Sequence, residues 1–150
     1  MKEESFLFYI FCGLPGTGKS TLSSALAREL QTTYLRVDVV EQAMRVAGTW
    51  DDGPAGYIVC YAIASQNLRL GLDVIADTVN PIHETRAADI PGFVPSTGEK
   101  VRNRHYDVWD REHIVIDTAH QTAAESLMTL RELLDRERSK MELIERTDVS

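Results

Sequence analysis

The chain has 150 residues, 43% of them hydrophobic, and a formal charge of −7 at pH 7. That length supports one domain with a real core, and the acidic balance argues against broad nucleic-acid binding, which leans on a positive field. No apolar run reaches membrane-spanning length, and the two cysteines, Cys12 and Cys60, form neither a disulfide framework nor a metal-ligand spacing, so a cytoplasmic protein is expected.

Met1-Lys2-Glu3-Glu4-Ser5 leads directly into Phe6-Leu7-Phe8-Tyr9-Ile10-Phe11, a continuous apolar run that predicts a buried strand with no signal peptide before it. Next comes Gly13-Leu14-Pro15-Gly16-Thr17-Gly18-Lys19-Ser20-Thr21, which fits G-x-x-x-x-G-K-[ST], the phosphate-binding loop. Leu22, Ala25, Leu26 and Leu30 then form a helical stripe. Strand, glycine loop and helix give the motif the setting its chemistry needs. Glycines let successive N–H groups point into one hollow, and the helix adds its free N–H groups and the positive end of its dipole. Lys19 is expected to reach the β- and γ-phosphates and the Ser20 hydroxyl to sit on Mg²⁺.

Thr33-Tyr34-Leu35-Arg36-Val37 predicts a second strand ending at Asp38. Val39, Val40, Ala43, Met44 and Ala47 suit a short helix closed by Gly48, with Asp38 as its N-cap and Glu41 completing a capping box. A carboxylate at that strand end is also placed to face the γ-phosphate. Gly53-Pro54 opens a third helix, whose stripe is Tyr57, Tyr61, Ala64 and Leu68 and whose stop is Gly71. Asp73-Val74-Ile75-Ala76-Asp77 reads as a third strand, closed by Asp77 where a Mg²⁺-holding carboxylate sits in nucleotide sites of this kind.

From Ile82 to Asp110 the local signals are weak, with Lys100, Arg102, Arg104 and His105 as a small basic cluster. His113-Ile114-Val115-Ile116-Asp117 predicts a last strand. Thr122 and Glu125 form a capping box, followed by the stripe Ala123, Leu127, Leu130 and Leu134, and a charged tail from Arg136 is expected to fray. His83, His105, His113 and His120 have no metal-binding spacing. Alternating strands and helices imply a mostly parallel sheet covered on both faces, with ligands beyond the carboxyl ends of its strands. Gly13 to Ser20, Asp38, Asp77 and Asn80 all fall at those ends.

The sequence resembles the P-loop kinases grouped as AAA-type ATPase-like predicted kinases, with the zeta-toxin, chloramphenicol phosphotransferase, gluconate kinase and adenylylsulfate kinase groups as relatives. The resemblance rests on GLPGTGKST at Gly13–Thr21, YLRVDVVEQAMR at Tyr34–Arg45 and VIADTVNP at Val74–Pro81, and extends to ETRAADIPG at Glu84–Gly92 and HYDVWDREHIVIDTA at His105–Ala119. It implies an α/β P-loop NTPase fold, a three-layer α/β/α sandwich with strand order 2-3-1-4-5, and a small lid region over about residues 84–110 of a single domain, 1–150. It implies ATP and Mg²⁺ as cofactors and a small-molecule acceptor as partner. By the same resemblance Asp38 activates the acceptor hydroxyl, Arg86 is the lid arginine, Asp117 to Gln121 borders adenine, and Arg45 and Asn80 face the acceptor.

One departure stands out. The class carries a helix and the fourth strand between the positions of Asn80 and Glu84, and here only Pro81-Ile82-His83 stand there. A helical crossover takes a dozen or more residues. The fourth strand is therefore expected to be missing through omission of residues, rather than through rearrangement of the sheet. The function expected is ATP-dependent transfer of the γ-phosphoryl group to a small-molecule hydroxyl. A nucleoside or nucleotide kinase, and a nucleotide-dependent switch or ATPase module, are the alternatives.

Overall fold

The computed structural model describes residues 6–13, 16–49, 53–79 and 113–147. They fall into two compact units, one within residues 1–108 and the other within 109–150. The expected lid, the basic cluster, and the segment 80–86 on which the missing-strand question turns lie outside the described residues.

In the first unit the chain runs β1 (Phe8–Phe11), α1 (Lys19–Leu30), β2 (Thr33–Arg36), α2 (Val37–Val46), α3 (Ala55–Arg69) and β3 (Val74–Asp77). The three strands form one parallel sheet in the order β1-β3-β2. This is the 2-3-1 portion of the expected order. β3 is central and its residues are all buried, as its uninterrupted apolar run demands. β1 is less buried than its equally apolar sequence suggests, with Ile10 42% exposed. The reason is position: among the described residues β1 pairs on one side only.

Register sorts the side chains into two faces. Phe8 stands beside Val74, and Leu35 beside Ala76. This face packs on Val37, Tyr57, Cys60 and Tyr61 from α2 and α3, and the rings of Phe8 and Tyr61 meet edge to face at 5.8 Å. Tyr34 and Arg36 lie on the opposite face with Ile75 and Asp77. There α1 covers the sheet, and its fully buried Ser23 reaches the Tyr34 hydroxyl at 3.0 Å. Helices on both faces of a parallel sheet make the three layers expected.

The expected elements differ from the observed ones in several places. α2 begins at Val37, one residue before Asp38, so its N-cap is Arg36 and no side chain caps it. Val37 is buried by α3, which draws it into the helix and leaves Asp38 in the first turn rather than at the cap. Val39, one of the apolar residues that suit this helix, is 57% exposed. In α1 the buried residues are Leu22, Ser23, Leu26 and Ala27, and Leu30 is exposed. α3 enters at Pro54 and ends before Gly71, as expected. Gly71 has φ +80°, a backbone conformation that favours glycine, and a Cβ there would lie 2.9 Å from the tip of the exposed Phe6 ring.

Where α2 meets α3, Gly56 lets the helices approach closely. A Cβ at that position would stand 2.5 Å from Glu41 Cγ. Burial raises the Glu41 carboxyl above the ordinary carboxylate range; Arg45, at 3.8 Å, opposes the shift and Asp38 adds to it. A carboxyl raised in the fold stabilises it fully only below its unfolded pKa, and that contribution is lost as pH rises through the folded value. Glu41→Gln is therefore expected to be more stable than the parent at pH 7 and to lose that advantage by pH 4, as read by urea denaturation at the two pH values. Burial also pushes the Cys60 thiol up to about 11, with the nearby Glu41 charge as a second cause, so this buried cysteine is inert.

The second unit holds residues 113–118, which form no strand, and α4 (Ala123–Thr147). The expected last strand is thus not seen: Val115 is 74% exposed, and the sheet of the described residues has three strands only. The capping box is present. Thr122 N donates to Glu125 Oε2 at 2.7 Å and Glu125 N donates to Thr122 Oγ1 at 3.2 Å. The Thr122 N–H and, at 2.8 Å, its hydroxyl both donate to Glu125 Oε2 and hold that carboxyl below its ordinary range. The tail does not fray at Arg136, since α4 continues to Thr147. Pairs such as Glu137 with Lys140, 2.6 Å apart, link successive turns along that stretch. Among the described residues no helix is long and apolar enough to cross a membrane.

Candidate nucleotide site

The site is assembled where β1 and β3 end and α1 begins. Gly16 and Gly18 take φ of +82° and +81°, values that side-chain-bearing residues rarely adopt. Gly18 is also the N-cap of α1, in the left-handed region, and no side chain caps the helix. A glycine N-cap offers no side-chain acceptor to the first-turn N–H groups of α1, which an anion can take instead. Thr17 packs close to Gly13, with its Oγ1 3.4 Å from where a Gly13 Cβ would be. Thr21 points to solvent. Leu14 and Pro15 of the loop, and the candidate residues Asn80 and Arg86, lie outside the described residues.

Asp77 is the hub. It closes the central strand with a side chain only 4% exposed. Ser20 Oγ donates to its Oδ2 at 2.5 Å, and Tyr34 Oη donates to the same oxygen at 3.2 Å. Lys19 Nζ stands 4.0 Å from Oδ1, and Arg36 Nε 3.4 Å from Oδ2. A buried carboxylate is costly unless it is paired and hydrogen-bonded, and Asp77 has both forms of compensation. The hydroxyls are ordered in turn. Tyr34 spends its proton on Asp77, so Ser23 donates to the phenol oxygen at 3.0 Å. Burial pushes the Tyr34 phenol above its ordinary value; the Ser23 bond opposes the shift and the Asp77 charge reinforces it. Tyr34 thus stays a neutral donor at physiological pH.

Asp38 contrasts with Asp77 at every point. Its side chain is 71% exposed, and the ion pair it makes is with Arg36 Nη2 at 3.8 Å. Arg45 sits one helical turn past Glu41 on α2 and pairs with it at 3.8 Å, with 46% of its side chain exposed. The structure thus brings Lys19, Ser20 and Asp77 into one cluster, and links Asp38 to it through Arg36. It ties Arg45 to Glu41 rather than to that cluster.

Two members of the cluster, Tyr34 and Arg36, were not foreseen as site residues. The available signal was the two-residue alternation on β2, which puts both on one face. That face becomes the site face only once the register pairs Arg36 with Asp77.

The cluster's donor chemistry is that of a phosphate and hard-cation site: one ammonium, one guanidinium, hydroxyls and a buried carboxylate. Comparison with other proteins agrees in kind. A family model described as an AAA domain matches residues 8–127, most of the chain. No curated protein matches the sequence. Among solved structures, a protein of Chloroflexus aurantiacus described as a candidate kinase is similar, with a TM-score of 0.59 and 20% sequence identity, over 89% of this chain and 98% of that one. At that identity the likeness speaks to the fold. With its glycine loop, parallel sheet and family match in agreement, the chain belongs to the AAA-domain family of P-loop proteins.

Proposed function

We propose that this protein is an ATP-dependent phosphotransferase that moves the γ-phosphoryl group to a hydroxyl of a small-molecule acceptor. The observation that carries the reading is the unlike treatment of two carboxylates linked by one guanidinium. Asp77 is buried and fully partnered beside Lys19 and Ser20, whereas Asp38 is exposed to whatever approaches from solvent. A nucleotide switch needs the first; a transferase needs both.

The residues fit Mg²⁺. Ser20 and Asp77 supply a hydroxyl and a carboxylate 2.5 Å apart, and no group of three or more His, Cys, Asp or Glu among the described residues forms an all-protein cage. Such a sparse oxygen set is what Mg²⁺ uses when phosphates and water complete its shell. When bound, the ion neutralises charge on the phosphate oxygens. The loop N–H groups and the start of α1 hold the phosphates in place. Lys19 leaves Asp77 for the β- and γ-phosphates, and its ammonium spreads the charge that develops there. Asp38 orients the acceptor hydroxyl and takes its proton at a carboxylate oxygen, late in a loose transition state. Positioning supplies much of the remaining acceleration.

The test is a phosphate-transfer screen over hydroxylated metabolites and antibiotics with γ-labelled ATP, run beside Lys19→Ala. Acceptor-dependent transfer of label by the parent and none by the variant is expected. ATP hydrolysis that ignores every acceptor and responds to a protein partner would replace this reading with that of a switch.

A further inference from the structure

Arg36 touches both carboxylates of the site, and its geometry toward each is distinctive. Its Nη2 lies 3.8 Å from Asp38 Oδ2 and its Nε 3.4 Å from Asp77 Oδ2. The Nε is buried yet makes no hydrogen bond. The contact with Asp77 is therefore charge attraction without a directed N–H, the separable kind of ion pair. Asp77 Oδ2 already accepts from Ser20 and Tyr34, so Arg36 is a third group on one oxygen. It balances the buried charge without being needed to satisfy it.

We propose that Arg36 is a positioning residue that exchanges one carboxylate for the other: it balances Asp77 in the nucleotide-free protein and turns to Asp38 once nucleotide and Mg²⁺ are bound. This rests on the reading above, in which Asp77 and Ser20 hold the metal. A divalent cation on Asp77 puts two positive charges within a few ångströms of the guanidinium, which reverses the sign of its local interaction. The partner left to it is Asp38, two residues along the chain and already in its reach. The shared guanidinium therefore couples the two functions. Nucleotide loading frees Arg36 from Asp77, and Arg36 in turn steadies the exposed carboxylate that must meet the acceptor. Coupling of this sort is reciprocal, so removing either partner of Arg36 must shift the metal step.

The test is the Mg²⁺ midpoint for binding a fluorescent ATP analogue, which needs no turnover. Arg36→Gln removes the competitor for Asp77, so the midpoint is expected to fall about fivefold, the scale of a partly exposed ion pair. Asp38→Asn leaves Arg36 with Asp77 alone, so the midpoint should rise about two- to threefold. The double variant should follow Arg36→Gln, because without the guanidinium Asp38 has no route to Asp77. Loss of a merely structural residue would not produce shifts of opposite sign. Should Arg36→Gln not fold, Arg36→Lys keeps the charge but not the two-ended reach. It should then hold the parent midpoint while adding Asp38→Asn to it changes nothing. An unchanged or raised midpoint in Arg36→Gln, or shifts of the same sign in Arg36→Gln and Asp38→Asn, overturns the proposal and leaves the nucleotide site standing. A parent chain with no affinity for the analogue overturns both.

Discussion

Lys19→Met is expected to lower kcat/KM for phosphoryl transfer by about 10³-fold or more, roughly 4 kcal/mol of lost transition-state stabilisation. Methionine keeps most of the length and apolar stem of lysine and removes only the ammonium. The Lys19 side chain is 13% exposed and its ammonium stands 4.0 Å from Asp77, at the first residue of α1, where no other cation of the helix can replace it. Arg36 is the nearest alternative, and it is engaged by the two aspartates. The fold should tolerate the change. Asp77 keeps its bonds from Ser20 and Tyr34 and its ion pair with Arg36, so the stability loss is expected to stay within about 1 kcal/mol. A folded variant with transfer close to that of the parent would show that Lys19 serves Asp77 and not the phosphates.

The second large effect is expected at Asp38. Asp38→Asn preserves shape and removes charge, and should cut transfer about 10²- to 10³-fold while leaving nucleotide affinity at saturating Mg²⁺ within about twofold. Structure separates the two readouts. Asp38 is in the first turn of α2 and 71% exposed, and its charge reaches Asp77 only through Arg36, an influence that saturating Mg²⁺ overrides. Parallel titrations of a fluorescent ATP analogue and of product formation check the division. Equal losses in both would move Asp38 from the acceptor side to the nucleotide side, and unchanged turnover would remove it from the reaction.

How much of this was legible in the sequence depends on distance along the chain. The phosphate loop is a contiguous motif, and Gly13 to Ser20 declares itself by spacing alone. Asp77 was legible because it closes an apolar run, and a parallel sheet gathers such ends on one side. Arg36 and Tyr34 were not, because their membership depends on how β2 registers against β3, a relation between segments about forty residues apart that no local pattern encodes. Asp38 was found but given the wrong local role. Capping rules favoured it as N-cap, and burial of Val37 moved the helix start by one residue. The stretch from His113 to Asp117 shows the limit from the other direction. Its composition suits a strand, but a strand exists only through a sheet ladder, and this stretch joins no ladder of the described sheet.

The central place of β3 among the described strands has a mechanical consequence. The strand that leads into the glycine loop is clamped by β3 along one flank, while the strand that presents Asp77 is gripped from both. The carboxylate beneath the phosphate loop is thus mounted on the firmest strand of the described sheet. The push or pull of a charged ligand that arrives or departs is borne there by hydrogen bonds on two flanks, so the anchor that Ser20 and Asp77 provide holds its place.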